Sequence, residues 1–396
     1  MQYDFTTFVD RRGKDSTAAS VIPFENVQVE EGFDPIPMWV ADMSYPTAPP
    51  VLEAIRKRLE LPSFGYFPLS PEYYDSIIHW QRRRNGVEGL RAEHIGYENG
   101  VLGGVSSAVQ ALSGQGEKIL VHAPTYVGFI HTLEGLGRPL IRSELKRDEQ
   151  GVWRMDYEDM DRKLKEHKIH LAIFCSPHNP TGRVWERWEI EKAMEVYAAN
   201  HCYVISDEIW SDIVMPGHKH IPTQSVSEDA KARTAAFYSP SKTFSLAGLI
   251  GSYHISYNSL LRDRIVHQGE LSHYNACNVL SMHALVGAYG PEGEAWAEQM
   301  CRAVDENQAL AHAFFAGIPG VSVMRPQGTY MMYLDCGGWC REHGMPIGEL
   351  LRRGVRKGVV WQNGEAFFWP DTIRLNLALP RARLQEALER LETYVF

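Results

Sequence analysis

Residues 170–185 read HLAIFCSPHNPTGRVW, an apolar run followed at once by a turn containing two prolines and a glycine. An uninterrupted apolar run of this length predicts a strand that is buried on both faces. The prolines and the glycine predict a rigid loop directly after it. The segment therefore predicts one strand of a parallel sheet, with polar side chains at its carboxyl end.

Three further segments repeat this pattern of an apolar run that ends in polar residues. They are KILVHAP (118–124), CYVISDE (202–208) and TAAFYSP (234–240). Segments at 72–85, 104–112 and 186–200 have the composition of helices, and Gly86 ends the first of them. The alternation predicts an α/β fold, with a mostly parallel mixed sheet between helices and right-handed crossovers.

The last third of the chain changes character. Residues 259–288 are largely helical in pattern, and a helix (294–316), two strands (329–336 and 372–379) and a closing helix (381–394) follow. This order is typical of an α+β unit, and 396 residues exceed the usual size of one domain. We expect a large domain at 47–285 and a smaller α+β domain made of 1–46 and 286–396.

Composition excludes several classes of function. The net charge is −9 and no long basic block occurs, which argues against nucleic-acid binding. No apolar run reaches the roughly 18 residues of a membrane span, and the N-terminus does not resemble a signal peptide. The six cysteines and the histidines lack the spacing of a metal site. We expect a cytoplasmic enzyme with reduced thiols and no metal, nucleic-acid or membrane partner.

Four polar residues stand just beyond the predicted strands: Tyr126, Asn179, Asp207 and Lys242. Ligands of open parallel sheets bind beyond the carboxyl ends of the strands, so these side chains are expected to share one site. Lys242 in SPSKTF is either a partly desolvated Schiff-base lysine or a solvated lysine in a turn.

Each of the other candidates also has two interpretations. Asp207 suits a protonated pyridine nitrogen, or else a helix cap or a structural ion pair. Asn179 binds a cofactor oxygen or only shapes a turn. The stretch NGVLGGVSS (99–107) binds a phosphate at a helix N-terminus or is a flexible turn. Arg374, inside the strand TIRLNLALP, binds a carboxylate or occupies an exposed strand position.

Taken together, the motifs resemble the fold-type I pyridoxal 5′-phosphate (PLP) enzymes of the aspartate aminotransferase superfamily, and within it the cystathionine β-lyase and C–S lyase branch. The resemblance covers nearly the whole chain. It is carried by PMWVADM (37–43), FGYF (64–67), APTYVGF (123–129), SPHNPTGRVW (176–185), SDEIWSDI (206–213), PGHKHIP (216–222), SPSKTFSLAGL (239–249), QGTYMMYLD (327–335) and IRLNLALPR (373–381).

The resemblance implies a role for each candidate residue. Lys242 would carry PLP as a Schiff base and move the proton at the substrate Cα, with Tyr126 stacked on the ring as a second catalytic residue. Asp207 would pair with the pyridine nitrogen and Asn179 would bond O3′, while the phosphate would be bound by Val101, Leu102 and Ser239. Tyr66 would contact phosphate and substrate from the neighbouring subunit. Arg374 would bind the substrate carboxylate.

Four positions depart from the family pattern. Ile250 replaces a phosphate-binding arginine, and Trp210 replaces a tyrosine or a histidine. Gln327 replaces a glutamate, and Ser44 replaces an aspartate. The N-terminal segment also lacks the usual lysine–tryptophan pair.

The resemblance implies β-elimination of L-cystathionine or a related cysteine S-conjugate to pyruvate, ammonia and a thiol, by a homodimer with shared active sites. One alternative is a PLP-dependent aminotransferase, which shares the early steps. Another is a regulatory protein that binds a transcription factor.

Overall fold

A computed structural model describes residues 2–396 of the chain. In this part of the chain there are fourteen α-helices: α1 Thr17–Ser20, α2 Pro49–Leu59, α3 Pro71–Asn85, α4 Val101–Leu112, α5 Val127–Gly135, α6 Tyr157–His167, α7 Arg187–Ala199, α8 Glu228–Arg233, α9 Ser259–Leu271, α10 Val279–Ala288, α11 Pro291–Ala316, α12 Gly337–Glu342, α13 Ile347–Arg356 and α14 Arg381–Tyr394.

The same residues form fifteen short strands: β1 Ile36–Pro37, β2 Ile95–Glu98, β3 Ile119–Ala123, β4 Leu140–Glu144, β5 Lys146–Arg147, β6 Trp153–Arg154, β7 Leu171–Cys175, β8 Tyr203–Asp207, β9 Thr234–Tyr238, β10 Ser252–Ile255, β11 Ser322–Val323, β12 Met331–Asp335, β13 Val359–Val360, β14 Gln362–Asn363 and β15 Thr372–Asn376.

Seven strands form the main sheet in the order β2-β10-β9-β8-β7-β3-β4. Strand β10 is antiparallel to both of its neighbours, whereas the pairs among β9, β8, β7, β3 and β4 are parallel. The predicted α/β class with a mostly parallel mixed sheet is therefore confirmed. No apolar run marks β2, β4 or β10, because these strands lie at or next to the sheet edges and carry polar residues.

Helices cover both faces of this sheet because its central strands alternate their side chains between two cores. In β7, Ile173 packs with the core that includes α4 and α5, while Ala172 and Phe174 pack with the core that includes α6 and α7. Every residue of β3, β7 and β9 is buried. This two-sided burial explains why the strands appear in the sequence as continuous apolar runs.

A second sheet, β11-β12-β15-β14, is antiparallel and packs with α11, α13 and α14. The N-terminal segment joins this part of the chain, since β1 pairs in parallel with β13 through Ile36 and Val359. The region 259–288, expected to be largely helical, consists of α9 and α10 with a break at 272–278. The domain boundaries given above stay a prediction.

Within residues 2–396, no helix has both the length and the apolar character that crossing a membrane requires.

Candidate active site

A cavity of about 190 Å³ opens beyond the carboxyl ends of β7, β8 and β9. The four polar residues expected to converge from separate strands all line it. Its full lining is Ala41, Gly100, Val101, Leu102, Tyr126, Cys175, Asn179, Asp207, Ile209, Trp210, Ser239, Ser241, Lys242, Ala247, Ile250 and Gly251. The parallel topology has thus brought segments more than a hundred residues apart into one site.

Lys242 lies in the turn after β9 and is half-buried. Its Nζ donates a hydrogen bond to the Ala41 carbonyl oxygen at 2.9 Å. Burial lowers the pKa of Lys242 to about 8, against the opposing effect of the Asp42 carboxylate. About a tenth of a lysine with this pKa is neutral at pH 7, far more than of an ordinary lysine, and the neutral amine is the form that acts as a nucleophile or a base.

Asp207 is the last residue of β8 and is almost completely buried. Its Oδ1 accepts a hydrogen bond from the Ile209 backbone N–H at 3.1 Å. Among the described residues, no cationic side chain forms an ion pair with it, and burial raises its pKa to about 7. A buried carboxylate of this kind at a cavity wall is suited to a cationic ligand atom.

Arg374 lies in the middle of β15 and is buried, so the alternative of an exposed strand position is wrong. Its Nη1 donates to Asn179 Oδ1 at 2.9 Å, and its Nη2 donates to the Trp39 carbonyl oxygen at 3.1 Å and to Gln362 Oε1. Burial lowers its pKa to about 10. Among the described residues, its Nε has no hydrogen-bond partner, and no carboxylate forms an ion pair with its guanidinium. This cation therefore suits an anionic ligand group.

The glycine-rich stretch forms the start of α4, which begins at Val101 rather than at the expected residue 104. Gly100 caps the helix with φ 79°, a conformation that favours glycine. The N–H groups of Val101 and Leu102, in the first turn, have no partners within an α-helix, and both residues line the cavity. Ser239 lies beside them, with its Oγ 2.6 Å from the Gly251 carbonyl oxygen. This end of the cavity suits an anion such as a phosphate.

Tyr126 precedes α5 and has a half-buried ring that lines the cavity and packs edge-on against Phe129, with 5.4 Å between the ring centroids. Burial raises the pKa of its hydroxyl, so the ring is uncharged at neutral pH.

Tyr66 is not part of this cavity. It lies fully exposed in the loop between α2 and α3.

Several residues that line the cavity have no role expected from the sequence. Trp210 departs from the family pattern. Its ring centroid lies 5.9 Å from Lys242 Nζ, and the ring packs edge-on against Tyr330. The backbone carbonyl oxygen of Ala41 accepts a hydrogen bond from Lys242. Every residue type has this oxygen, so the side chain at position 41 does not reveal the contact. The residue pattern ADM (41–43) was the available signal for this segment.

The chain belongs to the class I and II aminotransferase family, because the model of that family matches residues 35–391. It is similar to cystathionine beta-lyase PatB of Bacillus subtilis, with 32% identity over 363 residues that cover 91% of this chain and 92% of the relative.

Two solved structures share the fold closely. One is cystalysin from Treponema denticola, a crystal structure that contains pyridoxal 5′-phosphate, with a TM-score of 0.92 and 28% identity over 99% of this chain and 98% of that one. The other is the PLP-bound C–S lyase from Staphylococcus hominis, with a TM-score of 0.88 and 29% identity over 99% and 98% of the two chains.

Proposed function

We propose that this protein is a PLP-dependent C–S lyase that cleaves L-cystathionine or a related cysteine S-conjugate to pyruvate, ammonia and a thiol. The observation that carries the proposal is the cavity with a lysine of lowered pKa, a buried carboxylate without a cation and a free helix N-terminus. The relatives named as lyases give the reaction class.

The residues present fit PLP. The cofactor has four charged or polar groups, a pyridine nitrogen, an aldehyde, a ring hydroxyl and a phosphate, and the cavity offers a complementary group for each. Asp207 would hold the protonated pyridine nitrogen, and the α4 N-terminus with Ser239 would hold the phosphate. Asn179 would bond the ring hydroxyl oxygen, and Tyr126 would stack on the ring. When bound, PLP supplies an electron sink for the electron pair that is released at the substrate Cα.

Arg374 would bind the α-carboxylate of the amino acid and so place its Cα–H bond. Lys242, which is partly neutral because of its lowered pKa, would take the proton from Cα. The Cβ–S bond would then break with its electron pair going to sulfur, and protonated Lys242 would return the proton to give the thiol. The 2-aminoacrylate that remains would be hydrolysed by water to pyruvate and ammonia. Each role is a proposal for a residue of this chain, and each rests on the position of that residue in or beside the cavity.

The proposed active unit is a homodimer in which Tyr66 of the partner subunit reaches the phosphate and the substrate. Its support is the full exposure of Tyr66 away from the cavity of its own chain. We further propose a cytoplasmic location. All six cysteines are free thiols in the described chain and five of them are buried, as expected in a reducing compartment.

The products test the reaction class. We expect the purified protein with PLP to release pyruvate and ammonia from L-cystathionine when no keto acid is present, measured with a coupled lactate dehydrogenase assay. An aminotransferase, the second candidate because of the family to which the chain belongs, would turn over only when a keto acid is supplied. Strict dependence on a keto acid would reject the lyase proposal.

A further inference from the structure

The segment 39–42 runs between the two cationic groups of the site and is fixed from both sides. Arg374 donates to the Trp39 carbonyl oxygen, and Lys242 Nζ donates to the Ala41 carbonyl oxygen at 2.9 Å. Asn376 Nδ2 holds the carbonyl oxygens of Val40 and Asp42, each at 2.7 Å. The Asp42 carboxylate therefore belongs to the residue next to the one that holds the proposed base.

Asp42 is paired with a residue from a distant part of the chain. Arg11 Nη1 lies 2.6 Å from Asp42 Oδ2, and each side chain is 24% exposed. A guanidinium has five N–H donors, so this contact leaves others able to bind a second oxygen. Both charges also influence the pKa of the buried Tyr330 hydroxyl, as Arg374 does, so all three charged groups are near enough to act on it electrostatically.

The steps proposed at the substrate Cα give no role to the Arg11–Asp42 pair. Arg374 already provides for one carboxylate and Lys242 for the proton. Asp42 follows Ala41, which lines the cavity, and its carboxylate acts to raise the pKa of Lys242. Arg11 and Asp42 thus add a second cation and a second anion beside the site, and the two together are neutral. A ligand group that carries both a carboxylate and an ammonium would match each of these charges and leave none unbalanced.

We propose that the Arg11–Asp42 pair is the specificity determinant for the leaving group, with Arg11 binding a distal carboxylate and Asp42 a distal ammonium. This inference rests on the proposed lyase function. It assigns the protein to cysteine thioethers whose leaving group is itself an amino acid, such as L-cystathionine, rather than to simple S-alkyl cysteines. Arg11 and Asp42 act here on the leaving group and not on the reacting bonds.

The test compares two substrates in three proteins. The leaving group of L-cystathionine carries a carboxylate and an ammonium, whereas that of S-methyl-L-cysteine carries neither. We expect Arg11→Gln to lower kcat/KM for L-cystathionine about tenfold to a hundredfold, chiefly through KM, because a hydrogen bond to a charged group is lost. The same variant should change kcat/KM for S-methyl-L-cysteine by less than about twofold, which also shows that it is folded and loaded.

Arg12→Gln is the matched control. Arg12 is the neighbouring arginine, is half-exposed and pairs with Asp10 and Asp34 instead. We expect it to leave both substrates unaffected. An equal loss on both substrates with Arg11→Gln would overturn the inference, because Arg11 would then only fasten the N-terminal segment. No loss on either substrate would overturn it as well.

A binding measurement separates this inference from the proposed function. The carbon isostere 2,7-diaminooctanedioate keeps both amino-acid ends and has no sulfur leaving group. In calorimetric titration of the PLP-loaded protein, we expect the wild type and Arg12→Gln to bind it more tightly than Arg11→Gln does. If no protein forms pyruvate, the lyase proposal fails, and this comparison still decides the role of Arg11. Equal affinity in all three would overturn it.

Discussion

At the scale of single residues, the site combines two groups whose burial opposes their charged forms. Burial disfavours the charged form of each group. It therefore raises the pKa of Asp207, an acid, to about 7 and lowers the pKa of Lys242, a base, to about 8. Neither group forms an ion pair among the described residues. The cofactor-free protein therefore bears a free-energy cost at this site that a cationic ring nitrogen would relieve.

This cost gives a pH-dependent prediction for Asp207→Asn. Because the pKa of Asp207 is higher in the folded protein than its ordinary value of 3.8, the carboxyl destabilises the fold progressively as pH rises from about 4 to 7. We expect Asp207→Asn to stabilise the cofactor-free protein by on the order of 2–4 kcal/mol at about pH 8 and very little at about pH 4. Thermal unfolding at the two pH values measures the difference.

The same variant should have the opposite effect on the loaded protein, since an amide cannot neutralise a pyridinium. We expect Asp207→Asn to lose PLP during dialysis faster than the wild type, as followed by the absorbance of the bound cofactor. Retention of PLP equal to that of the wild type would contradict the proposed pairing.

At the scale of elements, the start of α4 depends on close contact between this helix and the sheet. A Cβ on Gly104 would lie 2.6 Å from Cε1 of Phe237 in β9 and 2.9 Å from Cγ of Glu98 in β2. Only glycine lets α4 approach these strands closely enough to place its N-terminus at the cavity. The sequence pattern of the glycine-rich stretch indicates a turn before a helix, whereas the packing requirement at Gly104 lies inside the helix.

We therefore expect Gly104→Ala to reduce the free energy of unfolding by about 1–3 kcal/mol, as overpacking of a core does. The matched control is Gly135→Ala at the exposed end of α5, where an added Cβ meets nothing within 4 Å. That change should be neutral or should stabilise by up to about 1 kcal/mol, since alanine is the better helix former. Thermal unfolding of the two variants should shift in different directions, and equal shifts would contradict this account of α4.

At the scale of the whole molecule, the proposed dimer makes each active site depend on two chains. We expect Lys242→Ala alone to be inactive and Tyr66→Ala alone to be strongly impaired. When the two variants are unfolded and refolded together, hybrid dimers should contain one site with native Lys242 and native Tyr66. The mixture should then recover roughly a quarter of the wild-type turnover, measured as pyruvate release.

Each variant refolded separately is the control for this experiment. If the mixture has no more turnover than the sum of the two separate samples, Tyr66 does not act across a subunit interface. Sedimentation of the wild type as a monomer would exclude the shared site by an independent route.

The family and the α/β class could be predicted from the sequence, and both are confirmed. The buried runs at 118–124, 170–177, 202–208 and 234–240 lie within a residue or two of strands β3, β7, β8 and β9. Residues buried on both faces have to be apolar throughout, so a local pattern is sufficient to identify them. Strands β2, β4 and β10 escaped prediction because their polar residues conceal the pattern.

The sequence by itself determined which chemistry is available: one lysine, one carboxylate, one amide and one arginine in recognisable contexts. Only the tertiary structure decided their state, because a pKa depends on burial and on neighbours that are distant along the chain. It alone showed that Arg374 is buried, that the Ala41 carbonyl oxygen holds Lys242 and that Arg11 meets Asp42 across 31 residues. Such contacts depend on how separate segments pack in space, and no local pattern of residues encodes them.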